Sequence, residues 1–125
     1  MSSPRPLRDV AAMFVILVAT LAVFAPVYNF DFTSWDDYDT VARNPLLNPP
    51  TIRSLNAFWT RPHGDLYIPV TYTVWAGVAA MPSTTEPATP TSLPRLRPQA
   101  FHIVNVVFHA AAAVLLFGVF DLLVA

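Results

Sequence analysis

The chain has 125 residues, 54% of them hydrophobic and only 12% charged, with a net charge of −1 and no cysteine. A soluble domain carries about 25% charged residues, so this composition points to a membrane protein, and the length allows one domain at most. The charge excludes the basic footprint that nucleic acid demands, and the missing cysteines exclude disulfides, thiolate metal sites and cysteine nucleophiles together.

Residues 1–9 form a short polar tail holding Arg5 and Arg8, and the positive-inside rule places it in the cytoplasm. All seven cations of the chain are arginine, the bias expected of a high-GC, bacterial coding sequence. Residues 10–27 follow as an apolar run broken by Thr20, close to the roughly 20 residues that cross a bilayer. Pro26 suits the last turn, where the helix must end soon anyway. A basic start before an apolar core also describes a cleaved leader, with a secreted product beginning at Pro26. That proline would lie directly behind the cut, and the run exceeds a leader's core, so an uncleaved first transmembrane helix is expected.

Residues 28–81 then form an extracytoplasmic acidic loop. Asp31, Asp36, Asp37 and Asp39 sit where the chain leaves the bilayer. A carboxylate near an apolar surface has its charged form disfavoured, which moves its pKa toward the range of a general base. Neighbouring carboxylates can instead share a divalent cation through oxygen ligands, or simply solvate an acidic turn. Asn44-Pro45 and Asn48-Pro49-Pro50 are turn signals. Thr51 can cap a short helix running to Trp59, with Ile52, Leu55, Phe58 and Trp59 on one face. Such a helix fits the membrane surface, with Trp59 at headgroup level. The next apolar stretch, Tyr67 to Met81, is short for a span and reads as interfacial or re-entrant. Pro69 fits the first turn of a helix there, while Thr71 to Trp75 alone would also read as a strand. Tyr67 either points its hydroxyl toward a sugar or phosphate, or anchors an interface. Arg43, Arg53 and Arg61 can fork onto a phosphate or solvate the loop.

Residues 82–99 are a linker rich in proline and threonine, since proline lacks the N–H that a helix or sheet needs. Residues 100–125 are apolar again and long enough for a second transmembrane helix. On a helix, His102, Asn105 and His109 fall within about 60° of one another. Polar groups in a membrane face a protein interior or a wet cavity, or hydrogen-bond between helices. Seven residues at about 1.5 Å rise separate the two histidines by about 10 Å, too far for a shared zinc at about 2 Å from each nitrogen. His102, nearest the outer surface, is the better contact for a phosphate. The glycine-rich phosphate loop and the nucleophile elbow of soluble enzymes are absent.

The order of these motifs is familiar. A first span precedes Phe30, Asp31 and Phe32, then Trp35, Asp36, Asp37, Tyr38 and Asp39, then Val41 with Asn44-Pro45. A helix ending Phe58, Trp59, Thr60 follows, then Tyr67, Pro69, Val70 and Thr71. Last come Phe101, His102, Asn105 and His109, entering a second span. This resembles the N-terminal part of the polytopic O-mannosyltransferases that carry tetratricopeptide repeats, and of their bacterial relatives, in the GT-C class of membrane glycosyltransferases. Ile68 stands where relatives often have arginine or histidine, and the proline–threonine linker replaces a glycine-containing turn.

The resemblance implies an all-α membrane protein, multi-pass in the cell (inner) membrane: two transmembrane helices flanking the loop and its interfacial helices, a partial GT-C fold. It implies a polyprenyl-phosphate-linked sugar donor and an acceptor hydroxyl on protein or glycan. Asp36 or Asp37 would be the catalytic base, and His102, Asn105 and His109 would be packing or donor-site groups; with Tyr67 from the residue reading, the substrate-binding candidates are Tyr67, His102 and Asn105. The residues name no certain cofactor, and the neighbouring carboxylates leave a divalent cation open. Further spans are expected downstream, without which this portion lacks the donor cavity. The competing expectation is a small two-span scaffold, its aspartates solvated and its helices packing through Ala110 to Ala113.

Overall fold

A computed structural model describes residues 5–81 and 96–124. The fold is mostly helical, with no strand among the described residues. Helix α1 spans Arg5–Phe24, α2 Ile52–Thr60, α3 Pro69–Ala79 and α4 Pro98–Val124. The chain divides into two compact units, one joining Met1–Phe30 with His102–Ala125, the other Asp31–Phe101.

The first unit is a helix pair. α1 starts within the expected polar tail, and a 3-10 turn over Ala25–Asn29, with Pro26 in it, extends it. Pro26 lacks the N–H that would continue the α-helix, so the end falls where the proline requires it. The apolar stretch Leu7–Asn29 is 23 residues long and Pro98–Val124 is 27, both beyond the roughly 20 that cross a bilayer. In α1 none of the hydrophobic window is buried, and in α4 only 6% is, so their apolar surfaces need lipid or further helices to cover them. Thr20 satisfies its hydroxyl inside the helix, donating to Ile16 O at 2.8 Å, which is how a hydroxyl is accommodated in a span.

The pair runs antiparallel. Arg8 lies 3.9 Å from Asp121, a Cβ at Gly118 would lie 3.6 Å from Met13 Cε, and the Phe24 ring meets the edge of His109 at 4.9 Å. Ala110 is buried, and Gly118 carries no side chain. Small residues at these positions let two backbones approach.

The second unit is built on the α2–α3 hairpin. The Thr51 hydroxyl accepts from Ser54 N at 3.1 Å, and Ser54 Oγ accepts from Thr51 N at 3.1 Å. This is a reciprocal capping box with serine in the place usually held by glutamate. α2 ends at Thr60, and the chain reverses through His63 to Leu66, whose backbones exchange hydrogen bonds of 2.9 and 3.1 Å. Gly64 takes φ +56° in that turn, a left-handed conformation open to glycine without penalty.

α3 begins with Pro69 in its first turn. The strand alternative for Thr71 to Trp75 is thereby excluded: these residues are helical. The core explains the choice, because Phe58 and Tyr72 stack at 4.4 Å with their planes 9° apart, and Tyr72 and Ala76, one turn apart, are both buried. His63 and Trp75 close the cluster edge-on to Tyr72, at 5.7 and 5.6 Å.

Ahead of the hairpin, the Asn44-Pro45 turn is organised by Asn44 itself, which is fully buried. Its Nδ2 donates to Thr40 O at 2.9 Å, its Oδ1 accepts from Leu46 N at 2.9 Å, and its carbonyl accepts from Leu47 N at 3.0 Å. Asn48-Pro49 makes the following turn with a cis peptide. Pro98 and Gln99, expected in the linker, form the start of α4, where proline's missing N–H does no harm. The rest of the proline–threonine linker lies outside the described residues.

Candidate functional site

The acidic segment lies between the end of the first apolar stretch at Asn29 and a wide helical turn over Tyr38–Ala42. Phe32 N donates to Asp31 Oδ1 at 2.8 Å. Ser34 to Asp36 turn, and the carbonyl of Asp36 takes both the backbone N–H of Thr40 at 2.9 Å and its hydroxyl at 2.6 Å. This fixes the backbone at Asp36 while leaving its side chain outside.

The two central carboxylates differ. Asp37 is half-buried, and its Oδ2 accepts from Thr33 N at 3.0 Å and from Thr33 Oγ1 at 3.2 Å. Asp36 is exposed, and its carboxylate takes no hydrogen bond among the described residues. Asp37 is thus committed to closing the loop, whereas Asp36 presents free lone pairs to whatever enters. Trp35 beside it is 85% exposed, an uncovered aromatic plane adjoining a free carboxylate. Arg43 lies over the Tyr38 ring at 5.1 Å from its centroid, so its guanidinium is held by a cation–π contact.

Tyr67 belongs to the same unit. It is 57% exposed, and its hydroxyl donates to Trp59 O at 3.0 Å. Its proton is therefore used within the protein, and what remains for a ligand is the oxygen as acceptor. Among the described residues no three His, Asp or Glu side chains gather as a metal site, so the cation option has no three-donor set here.

His102 and Asn105 belong to the helix pair. Leu21, Phe24, Ala25 and Tyr28 with His102, Ile103, Val106 and Val107 line a groove of about 180 Å³, apolar in character. His102 Nε2 is buried without a hydrogen-bond partner among the described residues. Asn105 is exposed on α4, and His109 turns its ring against Phe24. The polar stripe read from the helical wheel thus splits: His102 lines the groove, Asn105 faces out, and His109 packs.

The turn expected at Asn44-Pro45 is present, organised by the buried Asn44 amide. One feature was not singled out from sequence. Tyr72 is 1% exposed, its hydroxyl has no partner among the described residues, and burial pushes its pKa above the ordinary 10.0. The helical spacing from Pro69 was the available signal for Tyr72. Compared with known proteins, the chain matches no family model, no curated protein and no solved structure.

Proposed function

We propose that this chain is the N-terminal portion of a membrane glycosyltransferase that moves a sugar from a polyprenyl-phosphate-linked donor to an acceptor hydroxyl. The observation that carries the reading is the unequal pair: Asp36 exposed and unbonded, Asp37 tied to Thr33, both a few residues beyond the first apolar helix. A general base needs free lone pairs and a fixed backbone, and Asp36 has both. In this role Asp36 takes the proton of the acceptor hydroxyl as that oxygen attacks the anomeric carbon. The bond from that carbon to the donor phosphate breaks, and the lipid phosphate leaves with the electron pair. Asp37 positions the loop and does not touch the reacting atoms. The exposed plane of Trp35 suits the apolar face of a sugar ring.

The motif order along the chain supports the class, and the class implies further spans encoded beyond the Ala125 codon. The test is sugar transfer by membranes containing the whole gene product, with a polyprenyl-phosphate sugar as donor. Asp36→Asn is expected to lower kcat by roughly 10²- to 10⁴-fold while Asp37→Asn lowers it less. Equal activity of Asp36→Asn and the unaltered protein would sink the reading. A two-span scaffold is the second reading, favoured by the burial of Ala110 in the helix pair. It predicts no transfer with any lipid-linked sugar.

A further inference from the structure

The aromatic side chains of the acidic segment are not equivalent. Phe30 is 57% exposed and Trp35 85%, whereas Phe32 between them is half-buried. Its ring packs on that of Phe101, with centroids 5.6 Å apart and planes at 67°, the edge-to-face geometry that aromatic pairs favour. Phe101 lies in the first turn of α4 and is buried, as is Leu96 just ahead of that helix. Both belong to the same compact unit as the acidic segment. Phe32 thus joins a mostly exposed loop to a buried wall.

The contact sits where it can act on the carboxylates. Phe32 N donates to Asp31 Oδ1, and the next residue, Thr33, gives its N–H and its hydroxyl to Asp37 Oδ2. Asp36 lies inside the loop that this closes, and its carbonyl is held by Thr40. Each of these hydrogen bonds spans four residues or fewer. Together they set the loop's shape and not its place in the unit. The ring contact reaches a distant element and supplies the place. We propose that Phe32 is a positioning residue: seated on Phe101, it holds the acidic loop so that the Asp36 carboxylate meets the acceptor hydroxyl. The positioning role rests on the sugar-transfer reading of Asp36, whereas the seat itself does not. A misplacement of about 1 Å can cost about 10²-fold in rate. Without the ring the loop keeps its shape and loses its seat. Proton removal belongs to the transition state, so kcat falls while substrate binding is kept.

The test uses the whole gene product in membranes and two readouts. Hydrogen exchange followed by mass spectrometry needs no activity. Phe32→Ala is expected to speed exchange several-fold across residues 33–40 and to leave residues 52–60 and 69–79 unchanged. The second readout is transfer from a polyprenyl-phosphate sugar. Phe32→Ala is expected to lower kcat roughly 10- to 10²-fold with KM held. Phe32→Tyr, which keeps the ring at a half-buried position, is expected to retain kcat. Phe101→Leu, which keeps apolar bulk in the buried position and loses the ring, is expected to match Phe32→Ala. In an Asp36→Asn background Phe32→Ala should lower kcat no further, because no base is left to misplace. A full additional loss in that background overturns the proposal, as does an unchanged kcat in Phe32→Ala. Unchanged exchange over residues 33–40 overturns the seat. Faster exchange in both hairpin helices also overturns it, because Phe32 would then stabilise the unit in general. Exchange that changes as expected, in a protein whose unaltered form transfers no sugar, leaves the seat standing and defeats the activity reading together with the positioning role.

Discussion

The helix pair and the hairpin unit solve opposite problems with the same apolar residue types. In the pair, Val10, Phe14 and Val18 are each more than a third exposed, on helices long and apolar enough to cross a membrane. In the hairpin unit, Phe58, Tyr72, Val41 and Leu47 are buried, and water-driven burial holds them. In a bilayer such a pair would gain from matching its thickness and from backbone groups satisfied within each helix. The hairpin unit is stabilised by aromatic packing, a capping box and the buried amide of Asn44. Conservative changes should therefore act locally, each on the region whose solvent it contradicts.

The sharpest break is in the hairpin. Phe58→Ala removes one member of the stacked pair and leaves a cavity beside Tyr72, and it should cost about 3–5 kcal/mol. Denaturant unfolding followed by tryptophan fluorescence would read this, because Trp59 is the next residue and Trp75 packs on Tyr72. The reciprocal change is Val18→Arg, near the middle of the first apolar helix. A charge there costs roughly 2.5–3.5 kcal/mol of insertion free energy, and the measurement is the membrane-inserted fraction. The comparison requires the effects to separate. Phe58→Ala should leave insertion intact, and Val18→Arg should leave the near-ultraviolet circular dichroism of the aromatic cluster intact. A Phe58→Ala protein that loses insertion would show that the hairpin core is needed for the helices to enter the bilayer.

The contrast also explains what could be read in advance. Long apolar helices are written in consecutive residues, so α1 and α4 were legible, with their starts displaced by a few positions at Arg5 and Pro98. α2 was legible from Thr51, because a cap is a local event; its reciprocal partner Ser54 was not, since capping boxes usually carry glutamate or glutamine there. α3 was ambiguous. Five residues from Thr71 to Trp75 favour strand by composition, and only the packing of Tyr72 on Phe58, fourteen residues away, decides for helix. At the candidate site, the acidic residues and their position after the first span were visible. The inequality of Asp36 and Asp37 was not, because it depends on Thr33 folding back onto one carboxylate. The separate fates of His102, Asn105 and His109 depend likewise on where α1 lies against α4.

The smallest expected effect tests the hairpin core where its packing and its polarity conflict. Tyr72 keeps its ring stacked on Phe58 but buries a hydroxyl with no partner among the described residues. An unsatisfied buried hydroxyl costs about 1–3 kcal/mol, and replacing it by an apolar group of the same shape is near neutral or stabilising. Tyr72→Phe should therefore leave stability at neutral pH unchanged or raise it slightly, in contrast to Phe58→Ala. The two proteins should part in alkali. Below the ordinary pKa of 10.0 Tyr72 is protonated both folded and unfolded, so its contribution does not vary with pH. Above it the unfolded chain ionises while burial holds the folded phenol neutral, so the folded state binds more protons and stability falls as pH rises. Denaturant midpoints measured between about pH 8 and about pH 11 should decline less for Tyr72→Phe than for the unaltered chain. Equal declines would mean that the folded hydroxyl ionises as freely as the unfolded one, and that the aromatic cluster opens to water above pH 10.0.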